Sequence, residues 1–545
     1  MKLRLGGFER VHRDALERLV RERAVDRIWA GDATLWKKDE AHRKVIENAL
    51  GWLTSAERMQ ADLPGLASFA EEVSREADHV VVLGMGGSSL APLVFSLSFP
   101  RASGRPALEV LDSTDPAMVL DVAGRCDPAR TFFVVSSKSG TTLEPNILFD
   151  YFFDCASRSL PGRAGERFAV ITDPGSALER EAAARRVRRV FPGDPRIGGR
   201  YSALSHFGLV PAAILGVDVA ELLARARKMA ELCRRDAPGN PGAILGAAMA
   251  ALAMKGRDKL TFSMGRPVER FGLWIEQLVA ESTGKEETGI LPVEGEPLGS
   301  PADYGADRFF VRIDREGRGT AEPRERLAAL SAAGHPAAHY ELDDALDLGA
   351  EMFRWEFATA VAGALLGIDA FDQPNVQEAK DRTNEILAGK SPDAGVGQAP
   401  APDAQAVKAL LDGIGPGDYF AITAYVPSTP GNEERLGQTR LRVRDGKKVA
   451  TTVGFGPRFQ HSTGQFHKGG PPTGVFLQLT AGSPAAVPIP GRPYGFERVI
   501  EAQAAGDRMA LASRGRRVLS VEIGPDLERG LDDLDAAVAA ALGSR

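Results

Sequence analysis

Two glycine- and hydroxyl-rich turns could bind an anion. Residues 81–89 (VVLGMGGSS) end an apolar run in small residues, and residues 133–144 (FVVSSKSGTTLE) end another in hydroxyl residues and a lysine. Main-chain N–H groups at the start of a helix attract phosphate, and Ser137, Ser139 and Thr142 would add donors. We therefore expect a phosphate site, although a glycine-rich turn alone is often purely structural. Neither turn has the Walker A spacing or the dinucleotide-binding GxGxxG fingerprint.

A glutamate near the end of a predicted helix could act as a base. Gln277 and Glu281 lie four residues apart in WIEQLVAESTGK (274–285), so they share one helix face, and Gly284 is expected to cap the helix. A carboxylate at the negative end of a helix dipole holds its proton more tightly, which suits a general base working near neutrality. A lone glutamate on an amphipathic helix is more often a solvated surface residue.

Two further segments could contact a substrate. In DQPNVQEAK (372–380), Gln373 and Lys380 are seven residues apart, close to two helical turns, so they lie nearly in line. Arg200 follows two glycines in GGRYS, and an arginine presented from such a turn suits an oxyanion. By residue type alone, the first segment is typical of a capped surface helix and the second of an ion pair.

Alternating strands and helices must position these segments. Short apolar, β-branched runs begin near residues 79, 107, 131 and 167, with helix-like segments between them, and a second such set lies between residues 240 and 390. This alternation predicts parallel sheets with helices on both faces, and wholly apolar runs predict burial on both sides. The predicted fold class is therefore α/β, with two doubly wound parallel-sheet domains.

The predicted organisation has five parts. They are an N-terminal helical segment (1–75), a first domain with the phosphate turns (76–235), a second domain with the candidate base (236–390), a Pro-, Gly- and Ala-rich linker (391–405) and a smaller C-terminal α/β domain (406–545). Within the last part, the Asp445-Gly446 dipeptide predicts a β-hairpin over 439–455.

Composition limits the classes of function. The formal net charge is −6 and the basic residues are dispersed, so we expect no nucleic-acid partner. The N-terminus has no signal-peptide pattern, and the most apolar stretches are too short to span a bilayer. Three widely spaced cysteines give neither a disulfide framework nor a zinc signature. We expect a reduced, cytoplasmic, soluble protein without a membrane partner.

Five motifs together resemble the phosphoglucose isomerase family of the sugar isomerase (SIS) superfamily. They are GMGGSSL, SSKSGTTLE, GGRYS, EQLVAESTGK and DQPNVQEAK, in the family's order between about residues 80 and 390. The resemblance implies two SIS domains and reversible isomerisation of glucose 6-phosphate and fructose 6-phosphate in glycolysis and gluconeogenesis. It implies no metal or organic cofactor, and a homodimer, because sites in this family are completed across subunits.

The resemblance also implies roles for the motif residues. Glu281 would move a proton between C2 and C1 through a cis-enediol, while Arg200 and the Gly199 backbone would stabilise the enediolate oxygen. Lys380 would assist ring opening. The implied phosphate and sugar contacts are Gly87, Ser88, Ser137, Lys138, Ser139, Thr142, Gln277 and Gln373.

Two features depart from the family pattern. Asp307, in DYGADRFFV, stands where the family's ring-opening histidine belongs, and about 165 residues follow Lys380. These residues resemble the isomerase half of bifunctional transaldolase–phosphoglucose isomerase proteins, although no segment is free to form a transaldolase barrel. We predict that His461 or His467, in a glycine-rich loop, supplies the missing acid–base group. The alternative is a surface loop with two incidental histidines.

The motifs leave two alternative functions open. A related phosphosugar isomerase acting on mannose 6-phosphate or an amino sugar would share the phosphate turns. A non-catalytic SIS protein that senses a phosphosugar is the second alternative. The presence of Glu281, Arg200 and Lys380 argues against a sensor, because a sensor needs no base.

Overall fold

The computed structural model describes residues 1–315, 321–390, 399–482 and 485–543. Within these residues the strands form three sheets with helices packed around them. No helix of the described residues is long and apolar enough to cross a membrane. Most of the predicted linker, residues 391–398, lies outside the described residues.

The N-terminal residues are helical apart from one edge strand. The elements are β1 (Lys2–Arg4), α1 (Glu9–Arg21), α2 (Ala24–Trp29), α3 (Glu40–Glu47), α4 (Ser55–Arg58) and α5 (Leu63–Glu76). Strand β1 pairs antiparallel with a strand of the second sheet, with Leu3 opposite Ala338. The prediction of an N-terminal helical segment did not include strand β1, because pairing with a distant sheet edge leaves no local pattern.

The first sheet is parallel and carries both glycine-rich turns. Its strands are β2 (His79–Gly84), β3 (Ala107–Leu111), β4 (Thr131–Ser136), β5 (Phe168–Thr172) and β6 (Arg189–Pro192), in the order β3-β2-β4-β5-β6. The helices of this region are α6 (Leu90–Ser98), α7 (Pro116–Arg125), α8 (Leu143–Ser159), α9 (Ala177–Ala184), α10 (His206–Leu215) and α11 (Val219–Leu232). Along β2, Val80 and Val82 join one apolar cluster, whereas Val81 and Leu83 join another. Both faces of the sheet are therefore buried, as predicted.

The second sheet carries the candidate base on one of its helices. Its elements are α12 (Pro241–Ala253), β7 (Lys259–Met264), α13 (Phe271–Thr283), β8 (Leu291–Val293), β9 (Arg308–Arg315), α14 (Glu322–Ala332), β10 (Ala337–Leu342), α15 (Leu348–Leu366) and α16 (Pro374–Leu387). The strand order is β1-β10-β9-β7-β8, parallel except for β1. The prediction of two doubly wound α/β regions is confirmed.

The described residues of 404–543, here called the C-terminal unit, form a third sheet, which is parallel. Its elements are α17 (Ala404–Asp412), β11 (Tyr419–Tyr425), α18 (Pro430–Lys447), β12 (Ala450–Phe455), α19 (Gly464–Gly469), β13 (Gly474–Thr480), α20 (Phe496–Ser513), β14 (Arg517–Glu522) and α21 (Leu527–Ala541). The strand order is β12-β11-β13-β14. One face of β11 packs through Tyr419 and Ala421 against Ala280 of α13 and Leu291 of β8, so the C-terminal unit lies directly against the helix of the candidate base.

The predicted hairpin over 439–455 is wrong. Helix α18 includes both Asp445 and Gly446, and only the end of the segment forms a strand, β12. Leu436 and Val443, seven residues apart, are both fully buried on one face of α18. The helical period of the buried residues therefore outweighs the local turn preference of Asp-Gly.

Candidate active site

The GMGGSS turn meets the Arg200 turn at the carboxyl edge of the first sheet. Gly86–Ser88 and Gly199–Tyr201 each form a short 3₁₀ turn. A Cβ atom at Gly87 would lie 2.0 Å from the Gly199 carbonyl oxygen, so only glycine allows this approach. The Gly199 carbonyl also accepts from Ser202 Oγ at 2.6 Å, which fixes the turn that presents Arg200. Crevices at this edge of parallel sheets are common ligand sites.

The predicted phosphate-binding hydroxyls lie in the turns after β2 and β4. Ser88 and Ser137 are buried, and Ser137 Oγ has no hydrogen-bond partner among the described residues. Ser139 is exposed, with its Oγ 3.0 Å from Thr141 Oγ1, and Thr142 is the N-cap of α8. A buried hydroxyl without a partner costs free energy, so Ser137 is available to a ligand oxygen.

The Lys138 side chain contacts residues outside the predicted phosphate site. Its ammonium contacts the Asp173 carboxylate, and it donates to the Asp194 carbonyl oxygen at 3.1 Å. No described contact joins this ammonium to the neighbouring serine and threonine hydroxyls. The structure therefore does not bring Lys138 to the predicted phosphate contacts.

Glu281 lies in the last turn of α13, and Gly284 is the C-cap. Gln277 Nε2 donates to Glu281 Oε2 at 3.4 Å from one turn earlier, so the two share a helix face as predicted. A Cβ atom at Gly284 would lie 2.4 Å from Phe466 Cα, so glycine also lets α19 approach the end of α13. This approach places the loop of the two candidate histidines near Glu281.

Arg200 is fully buried beside Glu281. Its Nη1 lies 3.3 Å from Glu281 Oε2 and donates to Gln373 Oε1 at 2.6 Å. Nε donates to Ser282 Oγ at 2.8 Å, and Nη2 donates to main-chain carbonyls of the 370–372 segment. Because every guanidinium nitrogen is engaged, Arg200 presents a fixed positive charge at the base, and the structure brings Glu281, Arg200, Gln277 and Gln373 together.

The proton affinity of Glu281 is raised. Burial raises the pKa of Glu281, while the positive charges of Arg200, His461, Lys380 and Lys285 act in the opposite direction. The raised pKa agrees with the prediction from the sequence, but its main cause is burial rather than the helix terminus. A carboxylate with a raised pKa beside a fixed cation takes up a proton more readily than an ordinary glutamate, as a general base must.

His461 enters the site from the C-terminal unit. It ends the 3₁₀ turn Arg458–His461 after β12, and its Nε2 lies 3.1 Å from Glu144 Oε1. Glu144 is in the first turn of α8, directly after the second hydroxyl-rich turn. Burial alone would raise the pKa of Glu144, but the contact with His461 holds it below its usual value. An ionised carboxylate that orients an imidazole is a common acid–base arrangement.

His467 lies outside this arrangement. Its Nδ1 is 2.9 Å from the Tyr419 hydroxyl, and its ring packs edge-on against Phe476. Burial lowers the pKa of His467 well below its usual value, so the ring stays neutral. The structure brings one of the two predicted histidines to Glu281 and places the other in the core of the C-terminal unit.

Lys380 and Asp307 occupy different surroundings. Lys380, on α16, is half-buried, and its charge lowers the pKa of both Glu281 and Glu144. Asp307 precedes β9, and its carboxylate lies 3.9 Å from Arg308 Nε. None of its described contacts within this chain reaches Glu281.

Sequence reasoning missed three residues that organise the site. Glu144 was visible inside SSKSGTTLE, but a glutamate in a first helical turn is typical of any helix. Lys285 donates to the main-chain oxygens of Asp369 and Asp372 and so holds the loop that carries Gln373; burial lowers its pKa to about 8. Gln503, on α20, donates to Glu144 and has no sequence signal at all.

Comparison with known proteins is consistent with this geometry. Residues 66–291 match the family model of phosphoglucose isomerase. The chain is 32% identical over 374 residues to a glucose-6-phosphate isomerase of Rubrobacter xylanophilus, covering 59% of this chain and 86% of that protein. It is 27% identical over 383 residues to the protein of the same name from Carboxydothermus hydrogenoformans, covering 60% and 82%.

Solved structures agree on the fold. A hypothetical protein of Thermus thermophilus superposes with a TM-score of 0.60 at 25% identity, covering 71% of this chain and all of that one. A glucose-6-phosphate isomerase of Chlamydia trachomatis superposes with a TM-score of 0.55 at 20% identity, covering 70% and 87%. The resemblance predicted from the five motifs is confirmed, and the chain belongs to the phosphoglucose isomerase family of the SIS superfamily.

Proposed function

We propose that this chain is a glucose-6-phosphate isomerase that interconverts glucose 6-phosphate and fructose 6-phosphate, with Glu281 as the base. The observation that carries the proposal is the 3.3 Å approach of Arg200 Nη1 to Glu281 Oε2. A buried base beside a fixed cation suits removal of a proton next to a carbonyl group, because the charge moves onto an oxygen that the cation stabilises. The family relationship supports the substrate.

Ring opening comes first in the proposed reaction. His461 gives a proton to the ring oxygen O5 as the C1–O5 bond breaks. The O1 hydroxyl gives its proton to solvent water beside Lys380, and the electron pair of the O1–H bond forms the C1=O1 double bond. Glu144 keeps its negative charge and holds His461 Nε2, so the other ring nitrogen is free to face the sugar. The products of this step are the open-chain aldehyde and a neutral imidazole.

Proton transfer follows. Glu281 removes the C2 proton, the electron pair forms the C1–C2 double bond, and negative charge collects on O1 beside Arg200. Glu281 then returns the same proton to C1 while a proton moves from the O2 hydroxyl to O1, which leaves the ketone at C2. Ser88, Ser137, Ser139 and Thr142 hold the phosphate, and Gln277 and Gln373 hold sugar hydroxyls in this proposal. No step uses a metal or organic cofactor.

The test is isomerisation of fructose 6-phosphate, coupled to glucose-6-phosphate dehydrogenase, with EDTA present throughout. Wild-type turnover that falls about 10²- to 10⁴-fold in Glu281→Gln would support the base assignment. Glu286→Gln is a matched control, because Glu286 is exposed beyond the end of α13 and pairs with Lys37. No wild-type turnover despite phosphosugar binding would favour the sensor, and turnover only on mannose 6-phosphate or an amino sugar would favour the related isomerase.

We also propose that the protein is a cytoplasmic homodimer, as the family resemblance implies. The candidate ring-opening histidine, His461, is on the same chain as Glu281. If the groups of one chain suffice, activity per chain should stay constant when the dimer is diluted into monomers. If the partner subunit completes the site, as the resemblance implies, activity per chain should fall. Light scattering over a concentration series tests for the dimer, and activity measured at each concentration tests whether one chain holds a complete site.

A further inference from the structure

We propose that Gln503, on α20 of the C-terminal unit, is a positioning residue for the acid–base pair His461–Glu144. The inference rests on the proposed isomerase function for its catalytic consequence. It makes the C-terminal unit part of the active site through a second, separate element, in addition to the loop that carries His461.

The side chain of Gln503 joins the acid–base pair to the first sheet. Its Nε2 donates to Glu144 Oε1 at 2.7 Å, the same oxygen that lies 3.1 Å from His461 Nε2. Its Oε1 accepts from Thr114 Oγ1 at 2.6 Å. Because an ionised carboxylate only accepts hydrogen bonds, the amide has one favourable orientation. Gln503 therefore fixes which Glu144 oxygen receives His461.

The main chain of Gln503 holds the histidine turn from the other side. Its carbonyl oxygen accepts from Gln460 Nε2 at 3.0 Å and from the Tyr425 hydroxyl at 3.4 Å. Gln460 directly precedes His461 in the same 3₁₀ turn. One residue thus restrains both members of the acid–base pair.

The four side chains in these contacts are buried, which strengthens the hydrogen bonds between them. Gln503 is 2% exposed, Thr114 is fully buried, and Glu144 and His461 are both buried. A hydrogen bond to a charged group in such surroundings is stronger than one at the surface, and loss of the Gln503 donor leaves Glu144 Oε1 with only the His461 contact among the described residues. Glu144 would then be free to rotate, and His461 would lose its fixed direction.

The substitution Gln503→Met keeps the volume and removes the amide. Ring opening should slow, so kcat/KM on glucose 6-phosphate should fall about 10- to 100-fold, in line with one lost hydrogen bond to a charged group. Because the C2–H step is then less limiting, the primary kinetic isotope effect with [2-²H]glucose 6-phosphate should fall toward 1. A loss of folded protein alone would leave that isotope effect unchanged.

Gln478→Met is the matched control. Gln478 is also a buried glutamine that contacts α20, since its Nε2 donates to the Ala504 carbonyl oxygen at 3.0 Å, but it does not touch Glu144. The Gln478→Met substitution should leave the isotope effect at the wild-type value. If Gln503→Met does not fold, Thr114→Val removes only the hydroxyl that holds the Gln503 amide and should lower the isotope effect in the same direction, by less.

A readout without substrate separates this inference from the proposed function. The ring nitrogens of His461 can be followed in ¹⁵N-histidine-labelled protein and assigned with His461→Asn. At a pH high enough for the ring to be neutral, they should show the proton on Nε2 in the wild type and a mixture of the two tautomers in Gln503→Met. A shifted tautomer in a protein with no isomerase activity would overturn the function and support the positioning role. An unchanged tautomer with an unchanged isotope effect would overturn the positioning role.

Discussion

His461 Nε2 lies 3.1 Å from Glu144 Oε1, although the two residues are 317 positions apart in the chain. Glu144 belongs to the first sheet's α8 and His461 to the turn after β12 of the C-terminal unit. A second polar contact joins the same two regions, because Arg458 donates to both carboxylate oxygens of the fully buried Asp112, at 2.7 and 2.8 Å. The Arg458–Asp112 contact therefore holds the C-terminal unit against the first sheet close to His461, in the same 3₁₀ turn.

The two histidines of this loop should respond differently to the same substitution. His461→Asn removes the proposed ring-opening acid and should lower kcat by about 10²- to 10⁴-fold. His467→Asn removes a ring packed against Tyr419 and Phe476, so it should lower the thermal unfolding temperature and leave kcat per folded chain near the wild-type value. Steady-state kinetics and calorimetry on both variants check this. Equal losses of kcat in both, at equal stability, would contradict the division of roles.

The acid limb of the pH profile should report Glu281. Burial raises its pKa, and the base works only when ionised, so kcat/KM should fall with decreasing pH at a higher pH than for an ordinary glutamate. Arg200 lowers that pKa, so Arg200→Gln should move the acid limb to still higher pH, besides lowering kcat by roughly 10²- to 10³-fold. Profiles of kcat/KM across the acid and neutral range measure both effects. An acid limb that moves to lower pH in Arg200→Gln would rule out this pairing.

The central strands of the first sheet, β2, β4 and β5, were predictable because they are buried on both faces and so are almost wholly apolar, as in 131–136. Strand β6 at the sheet edge is short and partly exposed, and the sequence pattern did not predict it. The motif residues were also predictable, because glycines and hydroxyls follow the central strands. The C-terminal unit was harder. Thr429 and Pro430 give a helix start signal, since the Thr429 hydroxyl accepts from the Asn432 N–H, yet the Asp445-Gly446 dipeptide suggested a hairpin.

The rest of the site could not be predicted, because its contacts join residues that no local pattern connects. Gln503 contacts Glu144 although the two residues are 359 positions apart in the chain, and the neighbours of Gln503 on α20 are mostly alanines. Likewise, nothing near Lys138 reveals that Asp173 and Asp194 hold its ammonium. Residue type suggested a phosphate contact there, and only the packing of two later loops shows another partner.

Ser137→Ala should weaken substrate binding without weakening the fold. The Ser137 hydroxyl is buried without a partner among the described residues, so the free protein loses no hydrogen bond when it is removed. A bound phosphate would lose one charged hydrogen bond, so KM for glucose 6-phosphate should rise about 10- to 100-fold with a small change in kcat. Urea unfolding and steady-state kinetics are the measurements. Ser139→Ala, at an exposed position, should raise KM less; a loss of stability without a change in KM would contradict the phosphate role of Ser137.

Two carboxyl groups next to the site, the half-buried Glu276 and the buried Glu294, should make the fold less stable as pH rises toward about 8. Glu276, on α13, and Glu294, after β8, line a cavity of about 130 Å³ between the second sheet and the C-terminal unit. Burial raises the pKa of Glu276 to about 8, with a further contribution from the charge of Glu294, while Arg440 and Arg458 act in the opposite direction. Burial likewise raises the pKa of Glu294 to about 7.

The sign of the effect follows from proton binding. Between the ordinary glutamate pKa near 4.5 and the folded value of about 8, the folded chain keeps a proton on Glu276 that the unfolded chain has released. The free energy of unfolding should therefore fall as pH rises through this window and level off above it. Glu276→Gln removes the titration, so its stability should fall less steeply, by at most about 1.4 kcal/mol per pH unit. Urea midpoints measured across this window give the difference, with Glu286→Gln as the exposed control. Parallel curves for wild type and Glu276→Gln would mean that Glu276 is already ionised in the folded protein.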